Sequence, residues 1–374
     1  MTQNNPVKVG VIGCGNISDI YLTNAQWLNT IEVIGVTDLR IPMAEAQAEK
    51  YNIPTVYPSV DAMLADPEIE MVLNITHPAA HGTVAQAAVD AGKSVYSEKP
   101  LTLNRDEGEK LVASAKAARV LVGCAPDTFL GAAHQTARKM IDDGAIGNLV
   151  SANAFMMSWG MEMWHPNPEF YFKEGGGPMF DMGPYYLTDL VFLMGSVHSV
   201  SGMVTTGRKK RTITSEPLNG TIIDVEVPTH VSGMMRFNNG AVGTIVQSFD
   251  IAGSELPHIE IHGDKGSLSV PDPNRFGGKL RIRKGGSREW EDVPLTHSYT
   301  ENSRGLGLAD MARALRSKDA HRANGDLAYH VLDLMHAFHD SSETGMNIVL
   351  KSSCDRPAPM PTDAFLGQNP KTSG

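Results

Sequence analysis

The sequence predicts a two-domain protein of mixed α/β class, with a doubly wound, mostly parallel sheet in its first third. Three observations point there. The 374 residues exceed what one hydrophobic core usually serves. Over the first third, short apolar runs alternate with longer segments rich in Ala, Glu, Gln and Leu. The first apolar run also passes into a helix through a turn that holds two glycines. With 41% hydrophobic and 20% charged residues, the chain can bury a sizeable core and does not have a disordered composition.

Taken in order, Val7–Ile12 (VKVGVI) reads as a buried strand, and so do Ile31–Thr37, Met71–Thr76, Ser94–Ser97 and Val120–Gly123. Strands covered on both faces appear as continuous apolar runs. Between them, Asp19–Leu28, Pro42–Tyr51, His81–Ala91 and Arg105–Ala118 have helical composition and the length of crossover helices. The alternation is βαβαβ, which dictates a parallel sheet with helices on both faces.

The turn after the first strand is Gly13-Cys14-Gly15-Asn16-Ile17-Ser18. Gly13 permits the tight bend. Gly15 lets the backbone approach a pyrophosphate, which Asn16, Ile17 and the helix N-terminus would then hold. Ser18 stands where a third glycine is usual. Asp38 closes the second strand at the spacing of a carboxylate that binds an adenosine ribose diol. Such a carboxylate repels a 2′-phosphate, so NAD is the favoured cofactor. Arg40 could stack on adenine or reach a 2′-phosphate, which leaves NADP open.

Two further segments, AGKSVYSEKP (Ala91–Pro100) and GGGPMFDMGPYYLTDLVFLMG (Gly175–Gly195), complete a resemblance to the Gfo/Idh/MocA oxidoreductase family that covers almost the whole chain. The resemblance implies a Rossmann domain over residues 1–125 and a substrate-binding, oligomerising α+β domain over 126–355. That second domain is an open, mostly antiparallel sheet, and a homodimer or homotetramer is implied. The sequence agrees in outline: Leu149–Met157, His230–Phe237, Ala241–Phe249 and Ile259–His262 are alternating runs, and Asn239-Gly240 is a hairpin signal. The Pro-rich residues 356–374 read as a surface tail.

By the same resemblance, Lys99 of the Glu98-Lys99-Pro100 motif lies near the reacting carbon and the nicotinamide, at a strand end where such sheets place ligands. Thr76 and His77 lie against the nicotinamide half, with His81 and Glu98 also on the cofactor side. Asp181 and Tyr185 flank a helix start marked by Pro184 and would share one pocket. The commoner family pattern has His at the position of Tyr185. The tyrosine variant is that of glucose–fructose oxidoreductase and dihydrodiol dehydrogenase type enzymes. In the expected mechanism Tyr185 takes the substrate's proton, Lys99 lowers its pKa from about 10, and Asp181 orients Lys99 or substrate hydroxyls. Lys99 could instead be the main acid–base group. Trp164 and His165, in an aromatic-rich loop, are candidates for stacking on and hydrogen bonding to a sugar.

Other classes are disfavoured. A formal net charge of −10 argues against nucleic acid and anionic membrane as partners. Three widely spaced cysteines suit neither a disulfide framework nor a cysteine zinc site, and His77 and His81 lack a third metal ligand, so no metal is expected. No apolar run reaches membrane-spanning length and no secretory pattern opens the chain, so the expected location is cytoplasmic. Arg208–Arg211 (RKKR) reads as a solvated loop, and the late histidines His330, His336 and His339 as structural. The expected function is hydride transfer between nicotinamide and a ring hydroxyl or keto group of a sugar, glycoside or inositol. The alternative is a non-catalytic dinucleotide or sugar sensor on the same fold.

Overall fold

The structure, a computed structural model, describes residues 5–370. The alternating first third forms six parallel strands: β1 (Val7–Ile12), β2 (Ile31–Thr37), β3 (Thr55–Val56), β4 (Met71–Asn74), β5 (Ser94–Ser97) and β6 (Val122–Cys124). Their order is β3-β2-β1-β4-β5-β6. Val7, Val9 and Val11 of the central β1 are fully buried, as a strand packed on both faces requires. The crossovers are α1 (Ser18–Ala25), α2 (Ile41–Tyr51), α3 (Val60–Ala65), α4 (His81–Asp90) and α5 (Arg105–Ala118). The two-residue β3 and the six-residue α3, started by the Ser59 hydroxyl accepting from Ala62 N–H, fall where the sequence pattern is too short to register.

After α6 (Ala132–Asp142), β7 (Leu149–Met157) opens the second sheet. A short α7 (Gly177–Asp181) and α8 (Gly183–Met194) precede the remaining strands. These are β8 (Val197–Thr205), β9 (Lys210–Thr212), β10 (Ile222–Asp224), β11 (His230–Phe237), β12 (Val242–Ser248), β13 (Ile259–Gly263), β14 (Gly266–Val270), β15 (Leu280–Lys284) and β16 (Glu291–Val293). After α9 (Leu306–Ser317) and α10 (Gly325–Thr344), β17 (Ile348–Val349) closes the set. Nine strands run β16-β15-β14-β13-β7-β12-β11-β8-β17, antiparallel except for the β12–β7 pair, while β9 and β10 form a separate ribbon. The Asn238-Asn239-Gly240 turn joins β11 to β12 as expected, Gly240 having φ +92°.

The buried face of this sheet packs on α8, whose residues are buried along its whole length. Helices α9 and α10 return to the first sheet, and α10 packs against both α5 and β8. The chain end departs from the expected surface tail. It has little regular structure, yet it is strapped down: Leu366 is fully buried, its carbonyl accepts from Asn29 N–H, and Met360 N–H donates to Gln135. The apolar side chains of Met360 and Leu366 hold it; residues 371–374 lie outside the described residues.

Candidate active site

The glycine turn lies at the head of α1. Gly13 has φ +101°, and a Cβ there would stand 2.7 Å from the Ile75 carbonyl oxygen, so only glycine fits. A Cβ on Gly15 would meet nothing within 4 Å, leaving that backbone bare, and Asn16 and Ile17 beside it are exposed. Ser18, in place of the third glycine, is fully buried and donates its hydroxyl to the Gly15 carbonyl at 2.6 Å. It thereby braces the turn that a glycine would only accommodate. Asp38 accepts the Cys14 N–H at 2.8 Å and the Arg40 N–H at 2.8 Å, and each carboxylate oxygen keeps a lone pair for a diol. The Arg40 side chain is 73% exposed, 3.9 Å from Asp38. A bare backbone at a helix start, with an acid at the end of the next strand, fits a dinucleotide.

The strand-end loop after β4 is organised by His81. This residue is buried, its ring nitrogens 2.8 Å from the Pro100 carbonyl oxygen and 3.0 Å from that of Thr76. It therefore ties the Thr76 loop to the Lys99-Pro100 segment rather than opening onto the cofactor groove. Thr76 donates to Asn74, and the exposed His77 ring meets Phe170 edge-on at 5.7 Å. Glu98 accepts from the Tyr21 hydroxyl at 2.7 Å and from Lys99 N–H at 2.9 Å, so its carboxylate braces α1 against the strand end.

Lys99, Asp181 and Tyr185 come together. The Lys99 ammonium donates to the Asp181 carboxylate at 2.8 Å and to the Asp181 carbonyl at 2.6 Å, and lies 5.2 Å from the Tyr185 ring centre. Asp181 closes α7 and Tyr185 lies in the first turn of α8, so the break at Met182–Gly183 turns both toward one lysine. Burial opposes the charge on Lys99, but Asp181 and Tyr185 overcome it and hold the ammonium well above its ordinary value. Two of its three N–H donors are spent on Asp181 and one is left for a substrate oxygen. The pair is mostly shielded, with side chains 16% and 15% exposed.

The segment between β7 and α7 carries the predicted Trp164 and His165. His165 meets Trp164, Phe170 and Tyr171 edge-on, and Trp164 itself is 64% exposed. Gly176 lets the chain double back beneath this layer, since a Cβ there would strike the Phe170 and Tyr171 carbonyls at 2.6 Å. The segment is bolted from behind by Arg211, which overturns the reading of RKKR as a wholly solvated loop. The Arg211 side chain is fully buried and pairs with Glu162 and Asp250 at 2.5 Å each, over the Phe172 ring.

Three groups in the site carry no local sequence signal. Tyr171 faces Asp181, Lys99 and Tyr185; burial first, then the Asp181 charge, push it up to about 12, so it stays a hydroxyl donor. Arg304, before α9, donates its guanidinium N–H groups to the side-chain oxygens of Asn274 at 2.6 Å and Asn302 at 2.9 Å. Asp127 accepts the N–H groups of Gly305 and Gly307 at 2.8 and 3.0 Å, and burial raises it to about 6. Among the described residues no cluster of three His, Cys, Asp or Glu side chains could hold a metal, and no helix is long and apolar enough to cross a membrane.

Residues 7–125 match the oxidoreductase family with NAD-binding Rossmann fold, and residues 134–269 match the GFO/IDH/MocA C-terminal domain. Among curated relatives, the D-glucoside 3-dehydrogenase of Escherichia coli is 24% identical over 93% of this chain and 98% of its own. The trans-1,2-dihydrobenzene-1,2-diol dehydrogenase of Bos taurus is 24% identical over 83% and 87%. Among solved structures, a levoglucosan dehydrogenase in complex with NADH and levoglucosan superposes with TM-score 0.80 at 20% identity, covering 93% of this chain and all of that one. An NAD-binding oxidoreductase from Klebsiella pneumoniae gives TM-score 0.82 at 20% identity, covering 93% and 100%.

Proposed function

The chain belongs to the Gfo/Idh/MocA oxidoreductase family, and from that premise we propose that Lys99, Asp181 and Tyr185 carry hydride transfer at a ring hydroxyl of a sugar, glycoside or inositol. The protein is an NAD(P)-dependent oxidoreductase. The observation that carries the proposal is the shielded Lys99–Asp181 pair with Tyr185 against it.

When bound, the nicotinamide supplies the hydride acceptor or donor. The remaining work falls to the chain. The free N–H of Lys99 holds the reacting oxygen and offsets charge that develops on it. Asp181 fixes the ammonium in place, and Lys99, kept charged, acts as a stationary cation rather than as the base. Tyr185 takes the hydroxyl proton in oxidation and returns it in reduction. Tyr171, His165 and Trp164 supply the ring edges and faces on which a sugar stacks, and Asp38 selects NAD over NADP by its ribose diol. Turnover of a panel of monosaccharides, glycosides and inositols, read by reduced-nicotinamide absorbance with NAD and NADP in parallel, tests this. Turnover of a polyol with NAD supports it; turnover confined to acyclic or aromatic alcohols would refute it.

A homo-oligomer belongs to the same proposal. The outer face of the nine-stranded sheet exposes Met203 (79%) and Met234 (58%) on adjacent strands, an apolar surface that a second copy would cover. Three free cysteines suit a reducing compartment, and we assign the protein to the cytoplasm.

A further inference from the structure

A cavity of about 300 Å³ opens beside Lys99, Asp181 and Tyr185 without being lined by any of them. One wall is the loop after β4 at 77–79 together with Leu103, and the other is the end of the segment between β7 and α7, at 167–175. Both walls continue into the catalytic pair. Leu103 follows Lys99 on one short stretch of chain, and Gly175 precedes Asp181 on another, so the two stretches that meet in the ion pair meet again at the cavity. They close there because Gly175, at φ +82°, lays bare backbone on Leu103; a Cβ would stand 2.8 Å from that side chain. Phe170 lines the cavity, and the Tyr171 ring stands against it at 4.0 Å between centres.

The lining suits one sugar ring. Phe170 offers an aromatic surface to the C–H groups of a pyranose. Asn167 and Glu174 are exposed, and among the described residues their side chains make no hydrogen bond or ion pair, which leaves an amide and a carboxylate for ring hydroxyls. Lys173 is held by Glu226 at 2.7 Å and by Glu169 at 3.6 Å. A carboxylated or phosphorylated ring would therefore meet the Glu174 charge with no free lysine to offset it. The volume stands at the lower end of the range of about 300–1,000 Å³ for small-molecule sites, enough for a single ring and not for a longer chain.

We propose that this cavity is the subsite for a second, uncharged sugar ring, so that the substrate is a neutral disaccharide or glycoside with its reacting ring at Lys99 and the neighbouring ring against Phe170. The proposal rests on the reading of Lys99, Asp181 and Tyr185 as the centre of hydride transfer. Contacts to the second ring are remote from the reacting carbon, and their binding energy holds the first ring in place, so they register in kcat/KM.

The test compares kcat/KM for maltose, cellobiose, lactose and trehalose with that for methyl glucoside and methyl galactoside. It is run in wild type, in Ala79→Trp, which fills the cavity from its exposed edge, and in Glu174→Gln. Wild type is expected to favour one disaccharide over the methyl glycosides by about 10- to 100-fold. Ala79→Trp removes most of that ratio, and Glu174→Gln lowers it by about 3- to 10-fold. Should Ala79→Trp not fold, the double variant Asn167→Ala/Glu174→Gln, confined to exposed side chains, is expected to lower the ratio in the same direction. A wild type without the preference, or a ratio that the variants leave intact, overturns the proposal. So does a weakened Kd for NAD in Ala79→Trp, which would give the cavity to the cofactor. A preference for p-nitrophenyl glucoside over every disaccharide overturns it too, since the ring held would then be aromatic. If no sugar is turned over, the hydride-transfer reading fails by itself, and calorimetry of the same disaccharides with NAD-loaded protein decides the cavity. Binding that Ala79→Trp weakens upholds the subsite; binding that is absent or unchanged overturns it.

Discussion

Replacing Lys99 with methionine keeps an unbranched side chain one atom shorter and deletes its charge. The Lys99 and Asp181 side chains are 16% and 15% exposed, so water screens their attraction only slightly. Their 2.8 Å contact is charge-assisted. Deleting the ammonium strands a mostly buried carboxylate, which costs about 3–5 kcal/mol of stability. It also removes the free N–H that would meet developing charge on the reacting oxygen, a loss of about 100- to 1000-fold in kcat. The two effects separate in the double variant Lys99→Met/Asp181→Asn, where no orphaned charge remains. Urea unfolding is expected to show most of the stability restored, while nicotinamide absorbance shows turnover as low as in the single variant. NAD binding, followed by quenching of intrinsic fluorescence, stays near wild type. If Lys99→Met kept kcat within about threefold of wild type, a difference under about 1 kcal/mol, the assignment of Lys99 to the reacting centre would be wrong.

Other consequences follow from the same geometry. Asp38→Ala removes the acceptor for the ribose diol and its repulsion of a 2′-phosphate, and is expected to shift the NAD-to-NADP ratio of kcat/KM by about 10- to 100-fold toward NADP; an unchanged ratio refutes that role. Arg211→Met leaves Glu162 unpaired and Asp250 with only the 3.5 Å pair to Arg208, and frees the loop at 159–172, so KM for the sugar is expected to rise more than kcat falls, with hydrogen exchange quickened in that loop. His134 is fully buried with Asp189 at 2.9 Å and the Arg275 carbonyl at 2.8 Å, two acceptors that call for an imidazolium. Burial opposes that charge but Asp189 wins and raises its pKa, so its stabilisation is complete below the ordinary histidine value and fades as pH climbs through the raised one. The stability gap between wild type and His134→Gln should therefore narrow as pH climbs above the ordinary histidine value of about 6.5, and a gap that widens would contradict the assignment.

Much of this was legible in the sequence, for physical reasons that differ by region. Val7–Ile12, Ile31–Thr37 and Ser94–Ser97 emerge with the predicted bounds because strands buried on both faces leave uninterrupted apolar runs. Lys99, Asp181 and Tyr185 were legible because each sits in a recognisable local motif. Arg211 was misread because three neighbours in RKKR are at least partly exposed while β9 alternates exposed, buried, exposed and turns Arg211 inward. Only the distant carboxylates Glu162 and Asp250 reveal why a charge can be buried there. Tyr171 meets Lys99 only through tertiary packing, and Arg304 is set in place by Asn24 from the far end of the chain, so no local pattern marks either. The chain end looked like a loose tail because its proline content masks two anchoring apolar residues, Met360 and Leu366.

The central claim is that this site moves a hydride from a sugar ring carbon to nicotinamide with Tyr185 taking the proton. It is tested most directly by turning over a polyol deuterated at the reacting carbon and locating the label. The account predicts deuterium at the reduced nicotinamide ring, a primary isotope effect on turnover, and loss of both in Tyr185→Phe with NAD binding intact. Deuterium released to water, or transfer that persists undiminished in Tyr185→Phe, would contradict it.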